Sequence, residues 1–162
     1  MCGYGGYFGS VPEAEILLKR MASAIAHRGP DENGILAAPE AGLAHVRLSI
    51  VGLGDGQQPM SDEAGDLSIA FNGEIFNYVE LREELRAKGR RFRTGSDTEV
   101  ILHLYAEMGE DCLSVLNGDF SFAIWDRRRQ RMMLARDRMG VRPLFYTTHG
   151  GTFYFASEIK AL

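Results

Sequence analysis

The order in which two periodicities follow one another constrains this chain more than any other feature. Segments alternating apolar and polar side chains, the two-residue period of a strand, lie at both ends. Segments with the spacing of a helix lie near the start and in the middle. Ala44, Val46, Leu48 and Ile50 alternate with His45, Arg47 and Ser49, which predicts a strand with one apolar and one polar face. Leu67, Ile69 and Phe71 alternate with Ser68, Ala70 and Asn72 in the same way. Residues 1–9 read as strand and turn, and further strands are predicted at 120–125, 132–135, 144–147 and 152–156. Leu17, Leu18, Met21 and Ile25 mark a helix ending near His27, opened by a capping-box pattern at Ser10 and Glu13 with Pro12 in its first turn. Tyr78, Leu81 and Leu85 place a second helix at about 77–88. A second capping box, Ser96 and Glu99, opens a third with Val100, Ile101, Leu104, Tyr105 and Met108 on its core face. Strands first and last, with helices near the start and between, give a mixed, largely antiparallel α/β domain. They do not give a repeating βαβ series.

A chain of 162 residues is one domain by size and buries a core without staples. No apolar stretch approaches the roughly 20 residues that span a bilayer. No basic segment followed by an apolar one suggests export, so a cytoplasmic setting and no membrane are expected. Cys2 and Cys112 are too few for a disulfide framework, and neither they nor the scattered His27, His45, His103 and His149 show metal-ligand spacing. A net charge of −4 argues against a nucleic-acid partner. The one basic run, residues 127–131, is expected in a solvated hairpin turn. Residues 157–162 read as the first turns of a helix cut short, the end of a module.

Cys2 follows Met1 directly. Removal of Met1 would leave a cysteine with its own free α-amino group, whose pKa of about 7.7–8.0 suits it to take the thiol proton. One residue would then supply nucleophile and base. Position alone favours the plainer alternative, a small buried hydrophobe near a terminus. Arg47 is suited to holding a carboxylate by two parallel hydrogen bonds, or to pairing with a surface acid. The glycine-dense stretch 51–59 lacks the spacing of a phosphate-binding loop. Asn72-Gly73 is the commonest hairpin-turn pair, yet an Asn amide beside an unobstructed Gly N–H is also how an oxyanion hole is built. Asn117-Gly118 is assigned to a turn. Asp97 sits in the first turn of a helix, where the dipole favours a carboxylate, and where it could equally hold an ammonium group. Cys112 is expected in the core.

In order, these segments resemble the glutaminase domain of class II glutamine amidotransferases, the N-terminal-nucleophile type, and most of all its asparagine synthetase branch. The resemblance is carried by Met1-Cys2-Gly3, His27-Arg28-Gly29-Pro30-Asp31 and residues 43–51. It continues through residues 71–78, Gly95-Ser96-Asp97-Thr98-Glu99, residues 120–126 and residues 137–144. It runs over the whole chain, so residues 1–162 are expected to be one glutaminase domain.

What the resemblance implies is an α+β fold, a four-layer αββα sandwich of two antiparallel sheets. It implies hydrolysis of the L-glutamine side-chain amide to glutamate and ammonia. Cys2 would be the nucleophile, and Asn72 with the Gly73 N–H would hold the oxyanion. Arg47 would clamp the substrate carboxylate, Glu74 and Asp97 its ammonium, and the backbone of Leu48, Ser49, Ile50 and Val51 would line the pocket. No Ser-Gly-Gly-x-Asp-Ser loop occurs, so the synthetase half, with its ATP and Mg2+, is expected elsewhere, on another domain or subunit that receives the ammonia. No cofactor or metal is expected in this chain, and a homodimer is left open. Tyr4, Gly5 and Tyr7 depart from the family's usual aliphatic or small residues, putting bulk near the nucleophile. Two other readings stay in view: a catalytically silent docking domain, and a glutaminase serving an acceptor other than aspartate.

Overall fold

The computed structural model describes residues 1–49 and 54–162. One sheet is built from β1 (Gly3–Phe8), β2 (Glu32–Ala37), β3 (Ala41–Arg47), β8 (Phe145–His149) and β9 (Thr152–Ala156), in the order β2-β3-β1-β9-β8. The other holds β4 (Met60–Ser61), β5 (Leu67–Ile75), β6 (Gly118–Asp126) and β7 (Arg131–Arg136), in the order β4-β5-β6-β7. Every neighbouring pair of strands is antiparallel. Helix α1 (Ala14–Ala24) packs on the outer face of the first sheet. Helices α2 (Tyr78–Ala87) and α3 (Asp97–Met108) pack on the outer face of the second.

The strand period explains the layering. On β5 and β6, Leu67, Ile69, Phe71, Ile75, Phe120, Phe122 and Ile124 face the helices, while Ala70, Ala123 and Trp125 face the opposite sheet. On β3, Ala44 and Val46 face α1, whereas Ala41 and Leu43 face inward. Both faces of each sheet are therefore buried over its central strands, which gives the expected four layers, helix, sheet, sheet, helix, while the edge strand β8 is exposed.

Several local expectations are corrected. The face of β3 read as polar is not solvated: His45 and Arg47 point between the sheets and are buried. The strand ends at Arg47, before Leu48 and Ser49, and Ile50 and Val51 lie outside the described residues. Ser10 caps nothing. Glu13 occupies the cap position of α1 in a left-handed conformation without a side-chain cap bond, and the Ser10 carbonyl instead accepts from the Thr152 hydroxyl at 3.0 Å. The first helix stops at Ala24, with a separate turn at Ala26–Arg28. Only half of the second capping box forms. Ser96 accepts from Thr98 N, but Glu99 turns back to the backbone N–H groups of Arg93 and Thr94. Gly118 is not a turn residue but opens β6 opposite Ile75. The basic run does form the β6–β7 turn, with Arg127 and Arg128 on Asp66 and Arg129 on Asp126. Residues 159–161 make one short turn.

Candidate active site

The site is built on an unpaired strand edge. β4 pairs with β5 only at Met60–Ile69 and Ser61–Ser68, so β5 runs on to Ile75 with one edge uncovered. Along a strand, successive residues turn their N–H and C=O to opposite edges. On β5 the odd-numbered residues face the uncovered edge, as the bond from Asp62 N to Leu67 O shows. Beyond β4, side chains take over. Phe71 N donates to Gln58 Oε1 at 2.6 Å, Phe71 O accepts from His45 Nε2 at 2.9 Å, and Ile75 N donates to Asp97 Oδ2 at 3.1 Å. Gly73 lies between these, so its N–H opens onto the cleft.

Asn72 and Gly73 therefore sit inside a strand, opposite Ser121 and Phe120, and the hairpin-turn alternative is excluded. Gly73 has φ 156°, and a Cβ there would come within 2.1 Å of the Asp119 carbonyl oxygen. Only glycine fits. Asn72 is 2% exposed, and its amide Nδ2 has no hydrogen-bond partner. A buried donor left unpaired costs about 1–3 kcal/mol, which an incoming acceptor would offset.

The same cleft brings together Cys2, Arg47, Leu48, Asn72, Gly73, Glu74 and Asp97. Cys2 stands at the start of β1. Its Sγ lies 3.4 Å from Leu48 N, which donates to it, and 3.5 Å from Leu48 O. Behind it, Arg28 Nε donates to the Cys2 carbonyl at 2.9 Å, and Arg28 in turn pairs with Glu158 at 3.1 Å. Burial pushes the Glu158 carboxyl up, but hydrogen bonds from Arg28, Lys160 and His27 outweigh it and hold the group at about 2. Glu158 stays charged and keeps Arg28 aimed at the terminus.

Arg47, the last residue of β3, is 3% exposed and pairs with Glu32 Oε2 at 2.9 Å. Gly29 lets the chain run close against this end of β3, since a Cβ there would lie 2.4 Å from Arg47 N. Asp97 opens α3, but Ser96 performs the capping, leaving the Asp97 carboxylate to the β5 edge and the cleft. Burial raises its pKa and the neighbouring Glu74 charge adds to this, against the pull of backbone N–H groups. The cleft thus has a guanidinium at one place, two carboxylates at another, and a thiol and an unpaired amide donor as well.

Ser49 N is engaged by Asp31 Oδ2 at 2.8 Å, so that N–H is spoken for. Gly56, Gln58, Ser96, Thr98, Met1 and Arg142 also line the cleft and were not anticipated. Arg142 is placed there by Asp137, whose carboxylate accepts from the N–H groups of Met139, Val141 and Arg142, a loop no periodicity announces. Neither Tyr4 nor Tyr7, the bulky departures from the family pattern, is among the residues lining the cleft. Tyr4 points between the sheets, and Tyr7 packs toward α1 with its hydroxyl on Ala38 O.

A family model for the glutamine amidotransferase domain matches residues 1–162. Asparagine synthetase [glutamine-hydrolyzing] 1 of Bacillus subtilis is 47% identical, over all of this chain and 26% of that protein. Asparagine synthetase B [glutamine-hydrolyzing] of Escherichia coli is 42% identical, over all of this chain and 30% of that protein. The chain thus spans less than a third of the length of either relative. Among solved structures, the B. subtilis glutamine phosphoribosylpyrophosphate amidotransferase complexed with ADP and GMP superposes with a TM-score of 0.84 at 28% identity. That match covers 99% of this chain and 42% of the other. Fold, cleft and matches agree, and the chain belongs to the family of glutamine amidotransferase domains, with the N-terminal-nucleophile fold and with asparagine synthetases among its relatives.

Proposed function

We propose that this domain hydrolyses the side-chain amide of L-glutamine to glutamate and ammonia, with Cys2 as nucleophile. The observation that carries the reading is the buried, unpartnered Asn72 Nδ2 in one cleft with Cys2, Arg47, Glu74 and Asp97. A silent docking domain leaves that orphaned donor without a purpose.

Arg47 takes the substrate α-carboxylate in a charge-assisted pair, while Glu74 and Asp97 take the α-ammonium, which directs the amide end toward the thiol. In the chain that begins with Met1, the Cys2 nitrogen is part of a peptide bond, so Met1 must first be removed. The freed amine then accepts the Sγ proton as sulfur attacks the amide carbon. The C=O π pair moves onto oxygen, and Asn72 Nδ2 with the Gly73 N–H holds the oxyanion. As the intermediate collapses, the C–N bond breaks, the N-terminal ammonium returns its proton to nitrogen, and ammonia leaves. A water molecule then attacks the glutamyl thioester, giving its proton to the amine. The C–S bond breaks as the ammonium returns that proton to Sγ, which restores the thiol and the amine, and glutamate departs, its carboxyl proton lost to solvent. Nucleophile, base and oxyanion donors all come from the polypeptide, so this half-reaction calls for no metal or cofactor.

The ammonia passes to a synthetase-type domain or subunit that uses ATP and Mg2+, with aspartate as the acceptor that the relatives' names suggest. Among the described residues no helix is long and apolar enough to cross a membrane, and the reading keeps the cytoplasm as its setting.

Intact mass and glutamine-to-glutamate conversion, measured on one purified sample, test the proposal together. The expected result is loss of one methionine and turnover that Cys2→Ala reduces by about 10⁴-fold or more. A processed N-terminus without turnover overturns it.

A further inference from the structure

His45 is wholly buried between the sheets, and none of the steps above uses it. Its Nε2 lies 2.9 Å from the Phe71 carbonyl oxygen. A carbonyl only accepts, so Nε2 carries the proton and Nδ1 is the bare acceptor of a neutral ring. Burial drives the imidazole pKa down to about 4, with the nearby Arg47 charge in the same direction and the Phe71 hydrogen bond opposing. The buried Nδ1 has no partner. For stability alone this is a poor choice, because an unpaired buried acceptor costs about 1–3 kcal/mol.

The bond's position supplies the reason. The Phe71 carbonyl belongs to the peptide group that leads into Asn72, on the edge of β5 that β4 leaves uncovered. Gln58 holds the N–H of Phe71, and His45 holds its C=O from the other sheet. On β3, His45 stands two residues before Arg47 on the same face. One hydrogen bond therefore couples the strand of the carboxylate clamp to the strand of the oxyanion donors.

Resting on the glutaminase reading above, we propose that His45 is a positioning residue: its Nε2–H bond to the Phe71 carbonyl fixes the β5 edge so that Asn72 Nδ2 and the Gly73 N–H meet the oxyanion. It touches neither substrate nor reacting atoms. Removing the bond lets the donors drift relative to the thiol. A misplacement of about 1 Å costs roughly 10²-fold in rate.

The experiment is a steady-state comparison of the Met1-free protein, its single variants His45→Phe, His45→Gln, Asn72→Ala and Cys2→Ala, and the double variant His45→Phe/Asn72→Ala. His45→Phe keeps an aromatic ring and removes the donor; kcat is expected to fall about 10²-fold with KM within about threefold. His45→Gln restores an N–H donor and should recover most of that loss. With Asn72 already gone only the Gly73 N–H is left to misalign, so His45→Phe should cost less in the double variant. Should His45→Phe not fold, His45→Leu serves the same comparison. Equal fold-losses in both backgrounds, or a raised KM with kcat unchanged, would overturn the role of His45 while leaving the glutaminase reading intact. Turnover that survives Cys2→Ala would overturn that reading, and the role of His45 with it.

Discussion

The layer between the two sheets has two ends of opposite character. At one end Phe8 meets Trp125 with ring centroids 5.8 Å apart, and Ala41, Leu43, Ala70, Ala123 and Phe155 fill the space around them. At the other end the same strands present Tyr4, His45, Arg47, Asn72 and Ser121. Two of these carry a buried polar atom without a partner: His45 Nδ1 and Asn72 Nδ2. The strands are continuous from one end to the other, so the difference lies in the side chains and in the β5 edge that β4 leaves uncovered at the polar end. Packing at the apolar end stabilises the sandwich, and the polar end gives up part of that stability in buried donors and charges, which the proposed reaction would use.

The sharpest way to break this contrast is to truncate one residue at each end. Trp125→Ala empties a large volume in a close-packed region and is expected to lower unfolding stability by about 3–5 kcal/mol. The folded fraction should keep its kcat. Asn72→Ala should do the reverse, lowering kcat by about 10²–10³-fold with little change in stability. Denaturant melts and steady-state kinetics on both proteins decide the matter. Comparable losses of kcat from both substitutions would mean that the two ends are one cooperative unit.

Asp97 sharpens the comparison through pH. Burial, with Glu74 beside it, raises its pKa, so the folded chain holds this proton at pH values where the unfolded chain has lost it. Ionisation therefore costs the folded state, and this contribution lowers stability as pH rises through the interval above the ordinary carboxylate value. A bound ammonium reverses the preference. KM for glutamine should accordingly rise as pH is lowered toward the Asp97 pKa. Asp97→Asn should remove that pH dependence, weaken binding at neutral pH, and leave the protein at least as stable there as the parent. A destabilised Asp97→Asn protein with unchanged KM would assign the carboxylate to the fold rather than to the ligand.

Much of this was legible in the residues, and the pattern of misses is physical. The concentration of apolar side chains in β5, β6, β7 and β9 makes those strands legible to within about three residues of their ends. The strand β2 escaped because Glu32, Asn33 and Gly34 interrupt any apolar alternation, yet it pairs fully with β3. The polar side chains of β3 suggested a solvated face, because periodicity cannot distinguish water from a second sheet. Cys2, Arg47, Asn72, Gly73, Glu74 and Asp97 were each ambiguous alone, and the family resemblance was needed to join them. Nothing local marked His45, Gln58 or Arg142. Their roles come from where β4 stops and from how Asp137 folds its loop, which are facts of tertiary structure.

The smallest effect is expected at the entrance of the clamp, where Glu32 holds Arg47 across β2 and β3. A third of the Glu32 side chain remains exposed, which limits what the pair contributes to stability. Its use is orientation. With one guanidinium nitrogen held by Glu32, the fork is presented in a single orientation and less rotamer freedom is lost when a carboxylate arrives. Glu32→Gln keeps an acceptor but removes the charge, and should raise KM for glutamine about two- to fivefold with kcat unchanged. Glu32→Ala should go further in the same direction. A lowered KM in either protein would show that Glu32 competes with the substrate carboxylate for Arg47, and the polar end would then be holding its clamp closed.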